Sequence, residues 1–164
     1  MKIATTICLV YLSLSAYRHQ AIASPDPTSR PNIVIVIADD QTWSDAGCYG
    51  NVDVNTPHID SLAKEGLKFN FAFTATAMCS PTRQQLYTGL FPVRSGAYPN
   101  HSQVRKGTQS FVHYFNKAGY RVGLCGKRHI GPADSFPFTT VAKDNLAAFV
   151  ANPEPFLLVY ASNS

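Results

Sequence analysis

The sequence predicts a layered α/β fold with a mostly parallel sheet. Two apolar runs, Ile33–Ala38 and Pro155–Ala161, lack the alternation of a half-exposed strand, and such runs are typical of strands covered on both faces. Helical patterns separate the predicted strands, which favours parallel pairing. The 164 residues suffice for one modest core, and 45% apolar with 15% charged residues exclude a disordered tail, a collagen-like repeat and a coiled coil.

The N-terminal residues are typical of a secretion signal. Lys2 precedes an apolar run over 3–16, and a small-x-small cleavage pattern follows at 21–23. A membrane anchor is the alternative, but polar residues interrupt the run and a span needs about 20 nearly continuous apolar residues. We therefore expect residues 1–23 to be removed and the protein to be secreted or periplasmic, with no membrane span after cleavage. Residues 24–31 contain three prolines and predict an extended leader, so the domain itself would cover 32–164.

The charge distribution argues against a nucleic-acid partner. The chain has 14 basic and 10 acidic residues, a net charge of +4. These charges are scattered along the sequence, whereas nucleic-acid-binding domains carry a clustered basic face. We therefore expect no nucleic-acid partner.

Three elements are predicted between the first strand and residue 90. Thr56-Pro57 begins a helix that ends at Gly66, because proline is favoured in a first helical turn and glycine after the last. Apolar residues alternate with polar or small ones over 67–73, which indicates a strand. A helix is predicted over Thr82–Thr88. Cys79 would then lie just ahead of its N-terminus, where backbone amides and the helix dipole favour an anion.

Three more elements are predicted before the last strand. The first is a helix over Ser110–Ala118, with Val112 and Phe115 facing inward. A strand over Tyr120–Cys125 follows, and then a helix over Thr140–Val150.

The cysteines do not fit a framework of paired disulfides. Removal of the signal would take Cys8 and leave Cys48, Cys79 and Cys125, an odd number. One thiol must then be free, intermolecular or chemically converted. No two cysteines have the CxxC spacing, so a zinc site is not expected.

Three separate clusters of polar residues are expected to meet at one edge of the sheet. Asp39-Asp40 and residues 127–129 follow predicted strands, and ligands bind beyond the carboxyl ends of parallel strands. Adjacent carboxylates repel one another, so a divalent cation held through oxygen is one interpretation of Asp39-Asp40, and a solvated turn with a helix cap is the other. A cation beside Arg83 and Lys127 would bind a tetrahedral oxyanion strongly.

The segment Cys79–Arg83 matches the pattern C-x-P-[S/T]-R, the formylglycine signature of the sulfatases. The pair Asp39-Asp40, the segment 86–89 and Gly126-Lys127-Arg128-His129 occur in the order that the family shows. The chain therefore resembles the N-terminal part of a sulfatase domain. The resemblance implies the three-layer α/β/α fold of the alkaline-phosphatase-like superfamily.

The resemblance also implies a set of roles. A maturation enzyme would oxidise Cys79 to formylglycine, whose hydrate carries two hydroxyls on one carbon. One hydroxyl attacks sulfur, and loss of the proton from the other lets the carbon expel sulfate. Asp39, Asp40 and residue 79 would bind Ca²⁺. Arg83 and Lys127 would orient the hydrate and neutralise the sulfate, and His129 would fix the diol or move its protons.

Within the family, the segment Gly126–Pro132 is most similar to the branch of N-sulfoglucosamine sulfohydrolases (heparan sulfamidases). The expected substrate is then a sulfated glycan cleaved at an N- or O-sulfate, with aryl sulfates as further substrates. In the family, a second pair of metal ligands and further catalytic His and Lys residues come from later segments. We therefore expect this chain to be a fragment of a truncated domain that, by itself, is inactive or does not fold stably.

Two other functions fit part of the sequence. A phosphoesterase of the same superfamily would place Ser or Thr at the nucleophile, against Cys79 here. A secreted, non-catalytic, anion-binding fragment would keep Cys79 as a thiol. Among the remaining candidates, the positions of Arg94 and His101 in a loop allow them to line a substrate pocket, whereas His58 and His113 lie within predicted helices and are interpreted as structural.

Overall fold

The computed structural model describes residues 30–162. Their strands are β1 (Ile33–Ile37), β2 (Arg121–Gly126), β3 (Thr139–Thr140) and β4 (Phe156–Ala161). Their α-helices are α1 (Pro57–Glu65), α2 (Cys79–Thr88), α3 (Pro92–Ser95), α4 (Phe111–Lys117) and α5 (Leu146–Ala151), and short 3-10 turns lie at Trp43–Asp45, Gly47–Tyr49, Ala133–Ser135 and Lys143–Asn145. None of the helices formed by these residues has the length and apolar character needed to cross a membrane. The predicted signal and most of the predicted leader lie outside the described residues.

The four strands form one parallel sheet in the order β1-β4-β2-β3. β4 is central, pairing with β1 from Ile33↔Leu157 to Ile37↔Ala161 and with β2 from Arg121↔Phe156 to Gly126↔Ala161. The prediction of a mostly parallel sheet is confirmed. All carboxyl ends lie along one edge because all pairs are parallel, and β1 is an outer strand.

Helices cover both faces of the sheet. On one face, α2 and α4 contribute Tyr87 and Val112 to a cluster with β2 and β4 side chains, including the fully buried Val159. The ring of Tyr87 makes edge contacts with aromatic rings at 5.3 Å and 5.5 Å, those of Phe138 and Phe111. On the other face, the β2 and β4 side chains of Cys125, Phe156 and Leu158 pack with Leu146 and Phe149 of α5. This arrangement is the predicted three-layer α/β/α fold.

The prediction that β1 is covered on both faces is wrong for the described residues. Ile33, Ile35 and Ile37 pack against the core, but Val34 is 55% and Val36 is 71% exposed. The α5 layer covers the neighbouring strands on that face, and no element among residues 30–162 covers the outer strand.

The strand predicted over 67–73 is also absent from the described structure. This segment has no strand pairing, and its aromatic side chains are exposed, Phe71 by 83% and Phe73 by 87%. Alternating apolar and polar residues are typical of a strand with one buried and one exposed face, but a strand also needs a neighbouring strand for its backbone hydrogen bonds. None of the described strands provides that neighbour.

The predicted helices differ from the structure mainly at their starts. α1 has the predicted bounds, and α4 lies within the predicted range. α2 begins at Cys79, three residues before the predicted start, so Cys79 is the first helical residue. The backbone N–H groups of a first helical turn have no partner within the helix, so Pro81, which has no N–H, fits as the third residue of α2. The helix predicted over Thr140–Val150 begins only at Leu146, because Thr139–Thr140 pair with β2 as a strand.

Gly126 ends β2 at the edge where the polar clusters lie. Its φ of 94° is in the left-handed region, and a Cβ there would collide with the carbonyl oxygen of Ala161. The next residue, Lys127, donates its backbone N–H to the same carbonyl at 3.1 Å. Glycine therefore allows the chain to turn against β4 and to direct residues 127–129 along the carboxyl edge.

Candidate active site

Asp39 is the central anion of this edge. It follows β1, its backbone N–H donates to Ser162 Oγ at 2.9 Å, and its side chain is 4% exposed. One carboxylate oxygen accepts a hydrogen bond from Lys127 Nζ at 2.5 Å and the other from Arg83 Nη2 at 3.3 Å. The hydrogen bond from Lys127, with a further one from Arg83, lowers the pKa of Asp39 from 3.8 to about 2, although burial opposes the shift. Asp39 is therefore a carboxylate at any physiological pH.

Asp40 and Cys79 complete a three-residue cluster with Asp39. One ligand atom from each lies within 4.8 Å of the other two. Asp40 has a left-handed backbone, with φ of 55°, and its side chain is exposed. The donor set fits a hard divalent cation through its carboxylate oxygens, and it would fit better with an oxygen than with a thiol at residue 79.

Arg83 joins the three segments of the site. It lies one helical turn after Cys79 on α2, on the same helix face, and is 4% exposed. Nη1 donates to the backbone carbonyl of Lys127 at 3.1 Å, and Nη2 donates to Asp39. The guanidinium therefore fixes α2 against the ends of β1 and β2.

Lys127 lies between the carboxylate and the cysteine. Nζ contacts Asp39 and lies 3.8 Å from Cys79 Sγ. The hydrogen bond to Asp39 raises the pKa of Lys127, so the amine remains an ammonium. A positive charge and the first turn of α2 therefore both lie beside Sγ, and both favour negative charge there.

Two further residues of this segment, Arg128 and His129, follow Lys127. The side chain of Arg128 makes its contact away from the candidate site, and His129 contacts a neighbouring loop. The Arg128 guanidinium donates to the Phe136 carbonyl at 2.9 Å, which is a structural contact. His129 Nε2 lies 2.8 Å from Nδ1 of His101, a loop residue. Burial lowers the pKa of His129, and the nearby His101 and Lys127 lower it further.

An open cleft of about 1060 Å³ runs beside these residues. Its polar lining includes both aspartates, Cys79 and Arg83, and its apolar lining includes Trp43, Phe73, Met78 and Phe91. The arrangement can hold a tetrahedral anion against two cationic side chains and a helix N-terminus, beside a nucleophile at residue 79.

The structure thus brings all six predicted site residues to one edge of the sheet. Among the other candidates, His101 contacts His129. The prediction that Arg94 lies in a loop is wrong, because Arg94 belongs to the short helix α3, where it is exposed and does not line the cleft. His113 accepts a hydrogen bond from the Ser110 N–H at the start of α4, and His58 is exposed on α1. Cys48, Cys79 and Cys125 are all free thiols.

Gln84 is a supporting residue whose role the sequence did not reveal. Its side chain is fully buried, and Nε2 donates to the Ser102 carbonyl at 2.9 Å and to Ser80 Oγ at 2.9 Å. Oε1 accepts from the backbone N–H of Val104 at 3.1 Å and of Gly131 at 3.4 Å. The amide therefore ties the first turn of α2 to two loops beside the site.

We expect Gln84→Leu to destabilise the fold by about 1–3 kcal/mol, because it leaves buried polar backbone groups with fewer partners. Gln85→Leu is the matched control. Gln85 makes one exposed contact, with the Ala75 N–H, so its replacement should cost less than about 0.5 kcal/mol. Urea unfolding of both variants checks this, and equal losses would contradict the role given to Gln84.

Comparison with known proteins agrees with this geometry. Residues 31–163 match the sulfatase family. The chain is 38% identical over 150 residues to the ulvan-active sulfatase of Formosa agariphila, an alignment that covers 82% of this chain and 30% of that protein. It is 37% identical over 124 residues to human N-sulphoglucosamine sulphohydrolase, over 67% of this chain and 23% of that protein.

A solved structure shows the same fold. The chain superposes on BT4656, solved in complex with its substrate D-glucosamine-2-N,6-O-disulfate, with a TM-score of 0.74 and 24% identity, over 82% of this chain and 34% of that one. The chain spans less than a third of the length of the curated relatives that it matches. On the match over residues 31–163 and on these identities, the chain belongs to the sulfatase family.

Proposed function

We propose that the protein carrying this chain hydrolyses sulfate esters or sulfamates of glycans, with formylglycine at residue 79 as the nucleophile. The observation that carries the proposal is the position of Cys79. Cys79 is the first residue of α2 and of the signature Cys79–Arg83. Its Sγ lies 3.8 Å from Lys127 Nζ, and it forms a cluster with Asp39 and Asp40. A buried structural thiol would not need two cationic side chains and a carboxylate pair around it.

The proposed reaction has two stages. In the first, one hydroxyl of the formylglycine hydrate attacks sulfur, its proton leaves, and the bond from sulfur to the departing oxygen or nitrogen breaks as that atom takes up a proton. In the second, the other hydroxyl loses its proton, the carbon–oxygen bond to sulfate breaks, and the aldehyde returns. Water then hydrates the aldehyde again.

The described side chains have distinct proposed roles in these stages. The Lys127 ammonium and the Arg83 guanidinium neutralise the sulfate and hold it in place. His129 exchanges a proton with the diol or the departing group. Asp39, anionic at physiological pH, keeps both cations in position, because its two oxygens contact one each.

A divalent cation would be held by Asp39, Asp40 and the oxygen at residue 79, and calcium is our proposal for its identity. Bound there, it would supply positive charge that favours ionisation of a neighbouring hydroxyl.

Sulfated glycans are the proposed substrates, with aryl sulfates as simple analogues. The support is chemical and comparative: the cleft combines cationic with aromatic lining, and named relatives act on ulvan or on N-sulphoglucosamine. The branch of N-sulfoglucosamine sulfohydrolases is the one that we propose for this chain, on the resemblance of the segment Gly126–Pro132. A maturation enzyme is the proposed partner for residue 79, and the sequence of residues 1–23 supports export from the cytoplasm.

Peptide mass spectrometry tests the nucleophile directly. In a host with the maturation enzyme, we expect the peptide that contains residue 79 to lose about 18 Da, because a carbonyl oxygen replaces the thiol and one hydrogen. The same protein from a host without that enzyme is the control and should keep the thiol. An intact thiol in both hosts would favour the non-catalytic anion-binding function, and faster turnover of an aryl phosphate than of an aryl sulfate would favour a phosphoesterase.

A further inference from the structure

The two histidines beside the site form a pair that the proposed reaction does not explain. His129 Nε2 and His101 Nδ1 are 2.8 Å apart, and the ring centroids are 4.6 Å apart. Both residues have left-handed backbones, with φ of 42° at His129 and 64° at His101. Two non-glycine residues in this conformation face each other, which indicates that the surrounding structure determines the contact.

The loop that carries His101 is anchored to the helix that carries Cys79. The Ser80 N–H donates to Asn100 Oδ1 at 3.4 Å, and Ser80 Oγ donates to the Ser102 carbonyl at 3.2 Å. Both neighbours of His101 therefore contact the first turn of α2. The position of His101 is thus fixed relative to residue 79 as well as to His129.

One proton must lie between the two facing nitrogens, because a hydrogen bond of 2.8 Å needs one donor and one acceptor. The other nitrogen of His129, Nδ1, is buried and has no hydrogen-bond partner among the described residues. His101 is exposed, so its own Nε2 can hold a proton towards solvent. The opposite assignment would place a proton on the buried Nδ1 of His129, which has no acceptor among the described residues, and this favours Nε2 of His129 as the donor and Nδ1 of His101 as the acceptor.

We propose that His101 is a positioning residue for His129, accepting a hydrogen bond from Nε2–H so that Nδ1 of His129 is the bare nitrogen that takes a proton during the reaction. This inference rests on the proposed function for the role of His129, but its tautomer can be measured independently. When Nδ1 gains a proton, His129 becomes an imidazolium whose Nε2–H still donates to His101. One proton is transferred in this step, and the pair gains one positive charge.

The tautomer of His129 tests the inference without any turnover. The full chain labelled with ¹⁵N, studied by long-range ¹H–¹⁵N correlation at about pH 8, where an ordinary imidazole is neutral, should show His129 as a single tautomer protonated at Nε2. His101→Gly, which suits the left-handed backbone and removes the acceptor, should give a mixture of both tautomers. His101→Asn should restore the single tautomer, because asparagine tolerates this backbone and its oxygen can accept the bond.

His58→Asn is the matched control, since His58 is exposed on α1, and it should leave the His129 signals unchanged. A His129 protonated at Nδ1 in the wild-type chain, or a tautomer that does not respond to His101→Gly, would overturn the inference. In the active protein, His101→Gly should lower kcat about 10- to 100-fold with little change in KM, and His101→Asn should recover most of it. If Cys79→Ala keeps full activity instead, the proposed function fails while the tautomer result still stands.

Discussion

Replacement of Cys79 by alanine or serine is expected to reduce sulfate turnover by at least about 10⁴-fold. Alanine removes the nucleophile. Serine keeps one hydroxyl but cannot form a hydrate, so it can accept a sulfate and has no second hydroxyl with which to expel it. The serine variant should therefore release one equivalent of product for each protein molecule and then stop, whereas the alanine variant should release none. Burst kinetics with an aryl sulfate measure both outcomes.

Cys48→Ala is the matched control for this experiment. Cys48 is also a half-buried free thiol, but it lies in the 3-10 turn Gly47–Tyr49 and does not line the cleft. Its replacement should leave turnover within about twofold of the wild type, because the Cys48 thiol lies outside the cleft and takes no part in the proposed reaction. Full activity in Cys79→Ala, or an equal loss in both variants, would contradict covalent catalysis at residue 79.

Three of the four strands within residues 30–162 were predicted from their mainly apolar residues, whereas Thr140 of the short strand β3 was predicted to begin a helix. β2 and β4 are buried on both faces, and the patterns at 120–125 and 155–161 indicated them within one residue of each bound. The segment 67–73 shows the limit of this reasoning, since alternation cannot reveal whether a partner strand is present. The early start of α2 shows another limit, because proline marks the first turn of a helix but not the residue at which that turn begins.

The six candidate site residues could be expected to lie together because they follow predicted strand ends or belong to a short motif. The residues that hold these side chains and their segments in place could not be predicted. Ser162 lies 123 residues from Asp39, and Gln84 contacts Gly131 across 47 residues. Such contacts depend on the folded arrangement of loops, for which neither spacing nor periodicity carries a signal. His101 was a candidate by its position in a loop, and only the structure placed it against His129.

The second large effect is expected for Asp39→Asn, which keeps the size of the side chain and removes its charge. Lys127 and the buried Arg83 would then share a site without their anion, and one oxygen of the proposed cation site would lose its charge. We expect turnover to fall by about 10²- to 10³-fold and divalent cations to lose their stabilising effect on thermal unfolding. Asp53→Asn, at an exposed loop position, is the control and should behave as the wild type does.

The pH dependence of unfolding separates the charge of Asp39 from its packing. The pKa of Asp39 is lowered from 3.8 to about 2 in the folded chain, so its contribution to stability is complete above the unfolded value and decreases as the pH falls from there through the folded value. Wild type and Asp53→Asn should therefore both lose stability between about pH 4 and 2, with other carboxyl groups contributing equally in each. Asp39→Asn should be less stable above this window and lose less within it. If its stability falls in parallel with that of the wild type, the ion pairs of Asp39 with Arg83 and Lys127 do not stabilise this edge of the sheet.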